Sequence, residues 1–425
     1  ALFVPFERLG MLIIDEEHEN SYKSELSPRY DAREVARKRG EMEGAMLVLG
    51  SATPSLETYT RAVRGEYDLY KLTRRAKADA VLPTVEIADL REELKAGNRS
   101  IFSARLKELL EDRLEKGEQA MLFLNRRGYA GFVSCRACGH VMKCPHCDVS
   151  LSEHNGNRLI CHYCGYETVK PEICPSCGSP HIGGFKAGTQ QIEKVIEKEF
   201  PKARVLRMDF DTTRTKDSYE KILASFAKHE ADILVGTQMI VKGHDFPNVT
   251  LVGVIAADLS LNMDDYHCGE RTFQLLTQAV GRSGRGNRPG QAVIQTYQPE
   301  HYSIQAAAIQ DYEKFYKEEM GYRMLLDYPP AAHMMTVFGA CQDEELLKNA
   351  MYYIEVFIRR VSPKEELHMI GPAAASVGKV KDVYRQVIHL KHRDICFLTA
   401  VREKLEKYIE INSGFRKIYI QFDMN

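Results

Sequence analysis

The stretch CRACGHVMKCPHCDVSLSEHNGNRLICHYCGYETVKPEICPSCG, residues 135–178, holds most of the cysteines in the chain. They form four C-x-x-C pairs, and such clustering favours metal ligation over disulfides. Zinc takes four thiolates in a tetrahedron, and a C-x-x-C turn supplies two of them. The stretch therefore predicts a small module around two zinc ions. The predicted ligands are Cys135, Cys138, Cys144, Cys147, Cys161, Cys164, Cys174 and Cys177.

Glycine directly follows three of the pairs, at Gly139, Gly165 and Gly178. Glycine tolerates the positive φ of a tight knuckle turn and lets backbone N–H groups approach the sulfurs. Four-thiolate sites are closed to water, so both zinc ions are expected to be structural. The spacing leaves the pairing open. Adjacent pairs could share an ion, or the outer pairs could hold one ion and the inner pairs the other.

Composition limits the class of protein. The 425 residues are enough for about three domains. The formal net charge is −1, so any nucleic-acid surface must be a local patch. No apolar run approaches the ~20 residues of a membrane span, and no secretory signal is visible. We therefore expect a cytoplasmic protein with no membrane partner. Strand-like sequence directly after Ala1 predicts an N-terminal truncation.

Short apolar runs separated by helical sequence lie on both sides of the cysteines and predict an α/β fold with a parallel sheet. The cysteine module therefore interrupts one α/β domain. Residues 75–100 are polar and mixed, and are expected to be a linker. Predicted strands lie at 11–15, 45–50, 121–124, 203–208, 233–235, 251–255 and 292–296, and a helix at 103–117.

From about residue 310 the pattern changes. A linking helix is predicted near 311–326, followed by elements in the ferredoxin-like order β-α-β-β-α-β. Their predicted bounds are strand 333–341, helix 343–361, strand 367–371, strand 383–391, helix 394–411 and strand 416–423.

An apolar strand runs into acids at Ile13-Ile14-Asp15-Glu16-Glu17-His18. At the carboxyl end of a parallel strand, Asp15 could hold the Mg²⁺ of a nucleotide. Glu16 could then orient and deprotonate the attacking water. The alternative is an acidic helix start, where carboxylates are common anyway.

Three later segments add phosphate-binding chemistry. GSATPS at 50–55 offers small hydroxyls at a strand end, and 235–245 offers glycines and Thr237. Arg282 and Arg285 are three residues apart, which predicts one face of a helix. Guanidinium groups neutralise charge on a transferring phosphoryl group. Taken alone, the two arginines would be a solvated helix end or an ordinary salt bridge.

Four segments resemble motifs II, III, V and VI of superfamily 2 helicases. In this order, they are DEEH, GSATPS, GTQMIVKGHDFP and QAVGRSGRG. The whole chain resembles the bacterial primosomal replication-restart helicases. Three further features carry this resemblance: FLNRRGY at 123–129, the cysteine pairs after it, and GPAAASVGKV at 371–380. The resemblance implies two RecA-like lobes, the first one partial, an inserted zinc module and a ferredoxin-like α+β domain. The implied bounds are 1–78 for lobe 1, 79–134 and 184–305 for lobe 2, 135–183 for the zinc module and 306–425 for the C-terminal domain.

The resemblance also implies the activity, an ATP- and Mg²⁺-dependent 3'-to-5' DNA helicase. Such an enzyme recognises stalled or recombination-derived forks and starts primosome assembly for replication restart. The implied partners are forked and single-stranded DNA, single-strand-binding protein, other primosomal proteins and the replicative helicase loader. Nested zinc pairing is implied as well, with Cys135, Cys138, Cys174 and Cys177 on one ion and Cys144, Cys147, Cys161 and Cys164 on the other.

Site roles follow from the matching motifs. The implied catalytic residues are Asp15, Glu16, His18, Arg282 and Arg285. Coupling between nucleotide and DNA is expected from Ser51, Thr53, Gly243, Asp245 and Gln278. DNA contacts are expected from Arg126, Arg127, Tyr129, Thr237, Lys379, Lys381 and Arg385. For the loop at 126–129 the alternative is simply exposed charge, but arginines beside an aromatic ring suit a single strand.

The phosphate loop G-x-x-x-x-G-K-[ST] does not occur in the 425 residues. We therefore expect that this chain alone does not hydrolyse ATP at useful rates. Two functions stay open: part of an ATP-dependent helicase, or a zinc-bearing scaffold that binds branched DNA and primosomal proteins without ATP. The intact acids and arginines favour the helicase. An RNA helicase with a zinc insert fits the motifs but not the placement of the cysteines.

Overall fold

The computed structural model describes most of the chain. Among the described helices, none combines the length and hydrophobicity needed to cross a bilayer. Six predicted site residues lie outside the described part: Arg126, Arg127, Tyr129, Gly243, Asp245 and Arg285. The described residues are 2–24, 30–73, 82–124, 132–147, 149–154, 157–183, 188–210, 212–213, 216–241, 246–262, 265–284, 288–362 and 367–424.

Residues 2–73 form a small unit, called the N-terminal unit here. Its elements are β1 (Met11–Ile14), α1 (Ala32–Glu43), β2 (Met46–Leu49) and α2 (Leu56–Val63). The two strands pair in parallel, so the segments that follow them lie at one edge. Both predicted strands are confirmed, but they are buried on one side only. Ile13 is 69% exposed and Met46 61%, because no described element covers that face.

The next elements are β3 (Thr84–Asp89), α3 (Leu90–Lys95), α4 (Ala104–Glu115) and β4 (Gln119–Phe123). The linker predicted at 75–100 is therefore wrong over 84–95. Ile87 packs into the core, whereas Glu86 accepts hydrogen bonds from Arg105. An edge strand with one polar face is easily mistaken for a linker, because its apolar residues are few.

The cysteine module, residues 132–183, has five short strands. The outer two pair antiparallel and the inner three form an antiparallel meander. The strands are β5 (Ser134–Cys135), β6 (Ser152–His154), β7 (Arg158–Ile160), β8 (Glu167–Val169) and β9 (Ile182–Gly183).

The chain then returns to the sheet that began before the module. The further elements are α5 (Thr189–Glu199), β10 (Val205–Met208), α6 (Lys216–Ala227), β11 (Ile233–Gly236), α7 (Gln238–Val241), β12 (Val249–Val254), α8 (Asp258–Leu261), α9 (Cys268–Val280), β13 (Gln291–Thr296) and α10 (Tyr302–Ala308). This central sheet is parallel throughout, in the order β10-β11-β4-β12-β13-β3. Its strands come from both sides of the cysteine module, which confirms that the module interrupts one α/β unit.

The linking helix and the ferredoxin-like order are also confirmed. The elements are α11 (Tyr312–Leu325), β14 (His333–Cys341), α12 (Glu344–Val361), β15 (His368–Val380), β16 (Val383–His392), α13 (Ile395–Ile411) and β17 (Tyr419–Met424). The C-terminal sheet is antiparallel, in the order β15-β16-β14-β17, with α12 and α13 on one face.

Two strand boundaries in the C-terminal sheet are wrong. β17 begins at Tyr419 rather than at residue 416. β15 was expected to end at residue 371, yet it continues to Val380. The register shifts between Ile370 and Ala373, where Gly371 has a φ of 95°. Gly-Pro usually marks a break, but an edge strand can absorb it as a bulge.

Candidate motor cleft and zinc centres

The eight cysteines of the module form two groups, and within each group the ligand atoms all lie within 4.8 Å of one another. Cys135 Sγ lies 3.7 Å from Cys177 Sγ, and Cys144 Sγ lies 3.5 Å from Cys164 Sγ. A tetrahedral zinc ion with Zn–S bonds of ~2.3 Å separates its sulfurs by ~3.8 Å, so both groups fit zinc. The grouping is nested. The first group is Cys135, Cys138, Cys174 and Cys177, and the second is Cys144, Cys147, Cys161 and Cys164.

The glycines that follow the cysteine pairs adopt the expected positive φ. The angles are 77° at Gly139, 78° at Gly165 and 72° at Gly178. Gly139 has a second constraint, because a Cβ there would lie 2.2 Å from the carbonyl oxygen of Tyr297. The first knuckle therefore packs directly against the chain that leaves β13, and the module is fixed to the central sheet.

Tyr163 extends the module towards two other parts of the molecule. Its hydroxyl accepts a hydrogen bond from the Tyr266 backbone N–H at 3.2 Å, before α9. Its ring lies 4.8 Å from the ring of His389 on β16. The inner cysteine group thus sits where the central sheet, the module and the C-terminal sheet meet.

The turn after β1 separates the three acids of the first motif. Asp15 and Glu16 are exposed at the carboxyl end of the strand, whereas Glu17 is only 1% exposed. The Glu17 carboxylate accepts hydrogen bonds from the Ser55 backbone N–H at 2.6 Å and from the Thr58 hydroxyl at 2.9 Å. Glu17 therefore anchors α2, and the two predicted catalytic acids are left facing solvent. The sequence pattern had not distinguished Glu17.

His18 joins three of the predicted motifs. Its Nδ1 lies 2.6 Å from Ser51 Oγ, and its Nε2 lies 2.9 Å from the amide nitrogen of Gln278. Gln278 must donate to Nε2, so the ring proton sits on Nδ1 and is donated to Ser51. The Ser51 hydroxyl also accepts the backbone N–H of Thr53 at 3.0 Å. Four residues predicted separately are thus in one hydrogen-bonded chain.

One face of α9 contacts the N-terminal unit at three points, spaced four residues apart. Glu270 accepts the Leu56 backbone N–H at 2.9 Å, and Gln274 donates to the Thr53 carbonyl at 3.5 Å. Gln278 contacts His18, as described above. This stripe aligns α9 with the segments that follow β1 and β2. The i, i+4 spacing was the available signal for Glu270 and Gln274, which the sequence analysis did not assign.

Arg282 continues this spacing but lies beyond the helix. α9 ends at Val280, so the prediction that Arg282 lies on a helix face is wrong. Gly284 has a φ of 71°, and a Cβ there would lie 2.5 Å from the Gly290 backbone nitrogen. This close approach of two backbone segments turns the chain after α9, and Arg282 lies in that turn.

A buried charge cluster supports Glu270. Arg323 on α11 is 2% exposed and contacts Glu270 at 3.1 Å and Glu319 at 2.7 Å. Its guanidinium also donates to the Pro329 carbonyl at 2.6 Å. Burial and the nearby Glu57 carboxylate raise the pKa of Glu270 to about 7, although Arg323 opposes the shift. The Glu319–Arg323 spacing in a predicted helix was the only sequence signal for this cluster.

Helix α11 also contacts the N-terminal unit directly. The Tyr312 hydroxyl donates to the Pro54 carbonyl at 2.9 Å. The ring of Tyr59 lies 4.8 Å from the rings of both Tyr312 and Tyr316. The same helix stacks Phe315 on Phe273 of α9, with ring centroids 4.3 Å apart. α11 therefore holds the N-terminal unit and α9 together.

The predicted DNA contacts that fall within the described residues lie in two places. Thr237 is half-buried at the carboxyl end of β11. Lys381 and Arg385 line a groove of about 500 Å³ on the C-terminal sheet. Lys379 is engaged elsewhere, since its Nζ lies 3.0 Å from Asp382 and 4.7 Å from the centroid of the Tyr384 ring. The groove also contains three residues that the sequence analysis missed, Phe338, Lys417 and Tyr419.

Comparison with known proteins agrees with this arrangement. Residues 144–168 match the PriA DNA helicase Cys-rich region (CRR) domain, and residues 184–287 match the helicase conserved C-terminal domain. The second match identifies the central sheet as a RecA-like helicase lobe.

Similar proteins carry the name replication restart protein PriA. The Bacillus subtilis relative is 48% identical over 100% of this chain and 53% of its own length. The Synechocystis relative is 44% identical over 96% of this chain and 50% of its own. The Chlamydia trachomatis relative is 41% identical over 93% of this chain and 53% of its own. The chain spans about half the length of these relatives, and it belongs to the PriA family of replication restart proteins.

Proposed function

We propose that the chain forms the second motor lobe, the end of the first lobe, the zinc module and a DNA-binding domain of an ATP-dependent 3'-to-5' DNA helicase. The proposed domain bounds are 1–78, 79–134 with 184–305, 135–183 and 306–425. The observation that carries the proposal is the α9 stripe, which joins the segments after β1 and β2 to the turn that holds Arg282. Its function in replication restart rests on family membership.

In this proposal the cleft side chains act on a bound nucleotide. Mg²⁺-ATP, when bound, supplies the phosphoryl group whose hydrolysis drives the motor. Asp15 would hold the metal through water, and Glu16 would orient and deprotonate the attacking water. Arg282 contributes positive charge to the cleft. His18 contacts Ser51 and also Gln278, which is on α9. The positions of Asp15 and Glu16, which precede His18, would therefore depend on the position of α9.

The DNA-facing residues are proposed to act on two surfaces. Thr237, with Arg126, Arg127 and Tyr129, would hold a single strand along the carboxyl edge of the central sheet. The basic and aromatic groove on the C-terminal sheet would contact the fork, because such surfaces bind phosphates and stack bases. Single-strand-binding protein, primosomal proteins and the helicase loader are proposed as partners on the basis of family membership alone.

A second candidate function is an ATP-independent scaffold that binds branched DNA. One observation favours it for the 425-residue chain taken alone: the sequence has no phosphate loop. The chain alone is then expected to bind DNA but not to hydrolyse ATP. DNA-stimulated ATP hydrolysis by the 425-residue chain would contradict this expectation.

The test of the helicase proposal is a Glu16→Gln change in the longer protein that contains this chain. Unwinding of a forked duplex is expected to fall by at least about 100-fold, because general-base catalysis contributes 10²–10⁴-fold. DNA binding should be unchanged. The matched control is Glu41→Gln, an exposed acid on α1. Unwinding that survives Glu16→Gln would exclude the proposed catalytic function of Glu16, and unwinding without any ATP would favour the scaffold.

A further inference from the structure

A cavity of about 560 Å³ lies between the cysteine module, the start of α9 and α11. Asn262, which comes after β12, and Gln298, which comes after β13, both line it. The cavity is therefore at the carboxyl edge of the central sheet, where open α/β sheets bind their ligands. Its volume lies in the ordinary range for small-molecule sites. None of the functions described above uses it.

The walls of the cavity are rich in aromatic rings. Tyr266 and Tyr328 are stacked with centroids 4.6 Å apart, and Tyr302 and Tyr322 are stacked at 5.1 Å. Tyr322 is 48% exposed, so part of its ring is open to a ligand. The exposed part of the Tyr322 ring can therefore stack on a planar ligand, because stacking requires parallel faces.

Polar groups in the cavity have unused hydrogen-bonding capacity. Gln298 and Gln305 are half-buried in the cavity wall. They donate through their amide nitrogens, to Asn262 Oδ1 and the Pro299 carbonyl. Their amide oxygens can accept hydrogen bonds from a ligand, and the Lys143 and Lys314 ammonium groups can donate to it. The cavity is therefore suited to a ligand edge with both donors and acceptors.

Charges of both signs line the cavity. Asp265, Glu300, Glu318 and Glu319 are acidic, and Lys143, Lys314 and Arg323 are basic. A wall that mixes the two signs favours neither a strong anion nor a strong cation, and it tolerates an uncharged polar ring. A flat, uncharged heterocycle with donors and acceptors on its edge is the chemistry of a nucleobase.

We propose that this cavity accepts one unstacked nucleobase of a DNA strand bound along the carboxyl edge of the central sheet. The inference rests on the proposed function. Thr237 follows β11. The segments that line the cavity follow β12 and β13, which lie two and three strands along the sheet, roughly 10–15 Å away. A strand that contacts Thr237 can therefore reach it. The base would stack on Tyr322 and donate to the amide oxygens of Gln298 and Gln305.

The test uses the 425-residue chain and single-stranded oligonucleotides with 2-aminopurine at successive positions. One position is expected to change fluorescence on binding. Tyr322→Ala should abolish that change and weaken affinity at least about fivefold, the lower limit for loss of one stacked base. Gln298→Leu removes one amide group from the cavity wall. It should weaken binding of the intact strand a few-fold and leave binding of a strand abasic at that position unchanged.

Tyr352→Ala is the matched control, since this tyrosine is 57% exposed on α12, outside the cavity. It should leave affinity and fluorescence unchanged. A fluorescence change that persists in Tyr322→Ala would overturn the assignment, as would equal affinity of the parent chain for intact and abasic strands. Failure of the parent chain to bind any oligonucleotide would refute the proposed function as well. Tight binding that is equal for intact and abasic strands would refute only the proposal that the cavity accepts a base.

Discussion

The acids of this chain differ in burial, and burial decides what each one does. Asp15 and Glu16 are exposed, while their neighbour Glu17 is buried against α2. Glu270 is also buried, and it faces both Arg323 and the N-terminal unit. A buried carboxylate prefers its neutral form unless hydrogen bonds or cations compensate. The contact between α9 and α2 therefore depends on the protonation of one side chain.

Glu270→Gln is expected to change how stability depends on pH. The folded state holds the Glu270 proton up to a pKa of about 7, whereas the unfolded state loses it near 4.5. Between these values the folded state binds more protons, so this group makes stability fall as pH rises. The free energy of unfolding in urea, parent minus variant, should decrease from pH 5 to pH 8 by roughly 1–3 kcal/mol.

Glu313→Gln, an exposed acid on α11, is the control for this measurement. For Glu313→Gln, the free energy of unfolding of the parent minus that of the variant should be the same at pH 5 and at pH 8. A pH-independent difference between the parent and Glu270→Gln would mean that the carboxyl group titrates normally in the folded protein.

At the scale of elements, α11 and the cysteine module act as connectors between larger parts. Helix α11 contacts both α9 and the N-terminal unit, through Phe315 and Tyr312 respectively. The module contacts the central sheet at Gly139 and the C-terminal sheet through Tyr163. Each connector makes identifiable side-chain contacts to the parts that it joins, so single substitutions can test it.

Tyr312→Phe tests the helix connector. It removes the hydrogen bond to the Pro54 carbonyl and keeps the aromatic ring, a loss of about 0.5–1.5 kcal/mol. Hydrogen exchange should become up to about tenfold faster in β1, β2 and α2, with the central sheet unchanged. Tyr353→Phe, on the exposed face of α12, should have no effect. Uniformly faster exchange throughout the chain would indicate general destabilisation instead.

Cys144→Ser tests the module. Loss of one thiolate from the inner group should release about one of the two zinc ions, as measured by elemental analysis of the purified chain. In the longer protein, unwinding or restart assembly should fall more than ATP hydrolysis does. Cys396→Ser, an exposed cysteine outside both groups, should retain both ions. An equal loss of unwinding and hydrolysis would point to misfolding.

At the scale of the whole molecule, the chain is nearly neutral, but positive charge is concentrated in one groove. The net charge is −1, yet Lys381, Arg385 and Lys417 gather in one groove with two aromatic rings. None of these three cations has an acidic partner within 4 Å among the residues with described positions. A groove of this kind can attract phosphates even though the protein as a whole is nearly neutral.

Arg385→Ala and Lys417→Ala should therefore weaken DNA binding and lower its salt dependence. Each lost phosphate contact should reduce the slope of log affinity against log salt by about 0.7–0.9. Fluorescence anisotropy at several salt concentrations measures this slope. Lys348→Ala on α12, a lysine that pairs with Glu344, is the control. An unchanged slope in both groove variants would mean that this groove does not contact DNA phosphates.

The sequence by itself determined the zinc ligands, most strand positions and the order of the C-terminal elements. These are local properties, since C-x-x-C turns and apolar periodicity depend on neighbouring residues. Tertiary structure alone decided that Glu17 is an anchor, that Arg323 is buried between two carboxylates, and that Phe338 and Tyr419 share a basic groove. It also placed Arg282 beyond α9, because Gly284 packs on Gly290. Such contacts join residues far apart in the chain, and burial by distant segments has no local sequence signal.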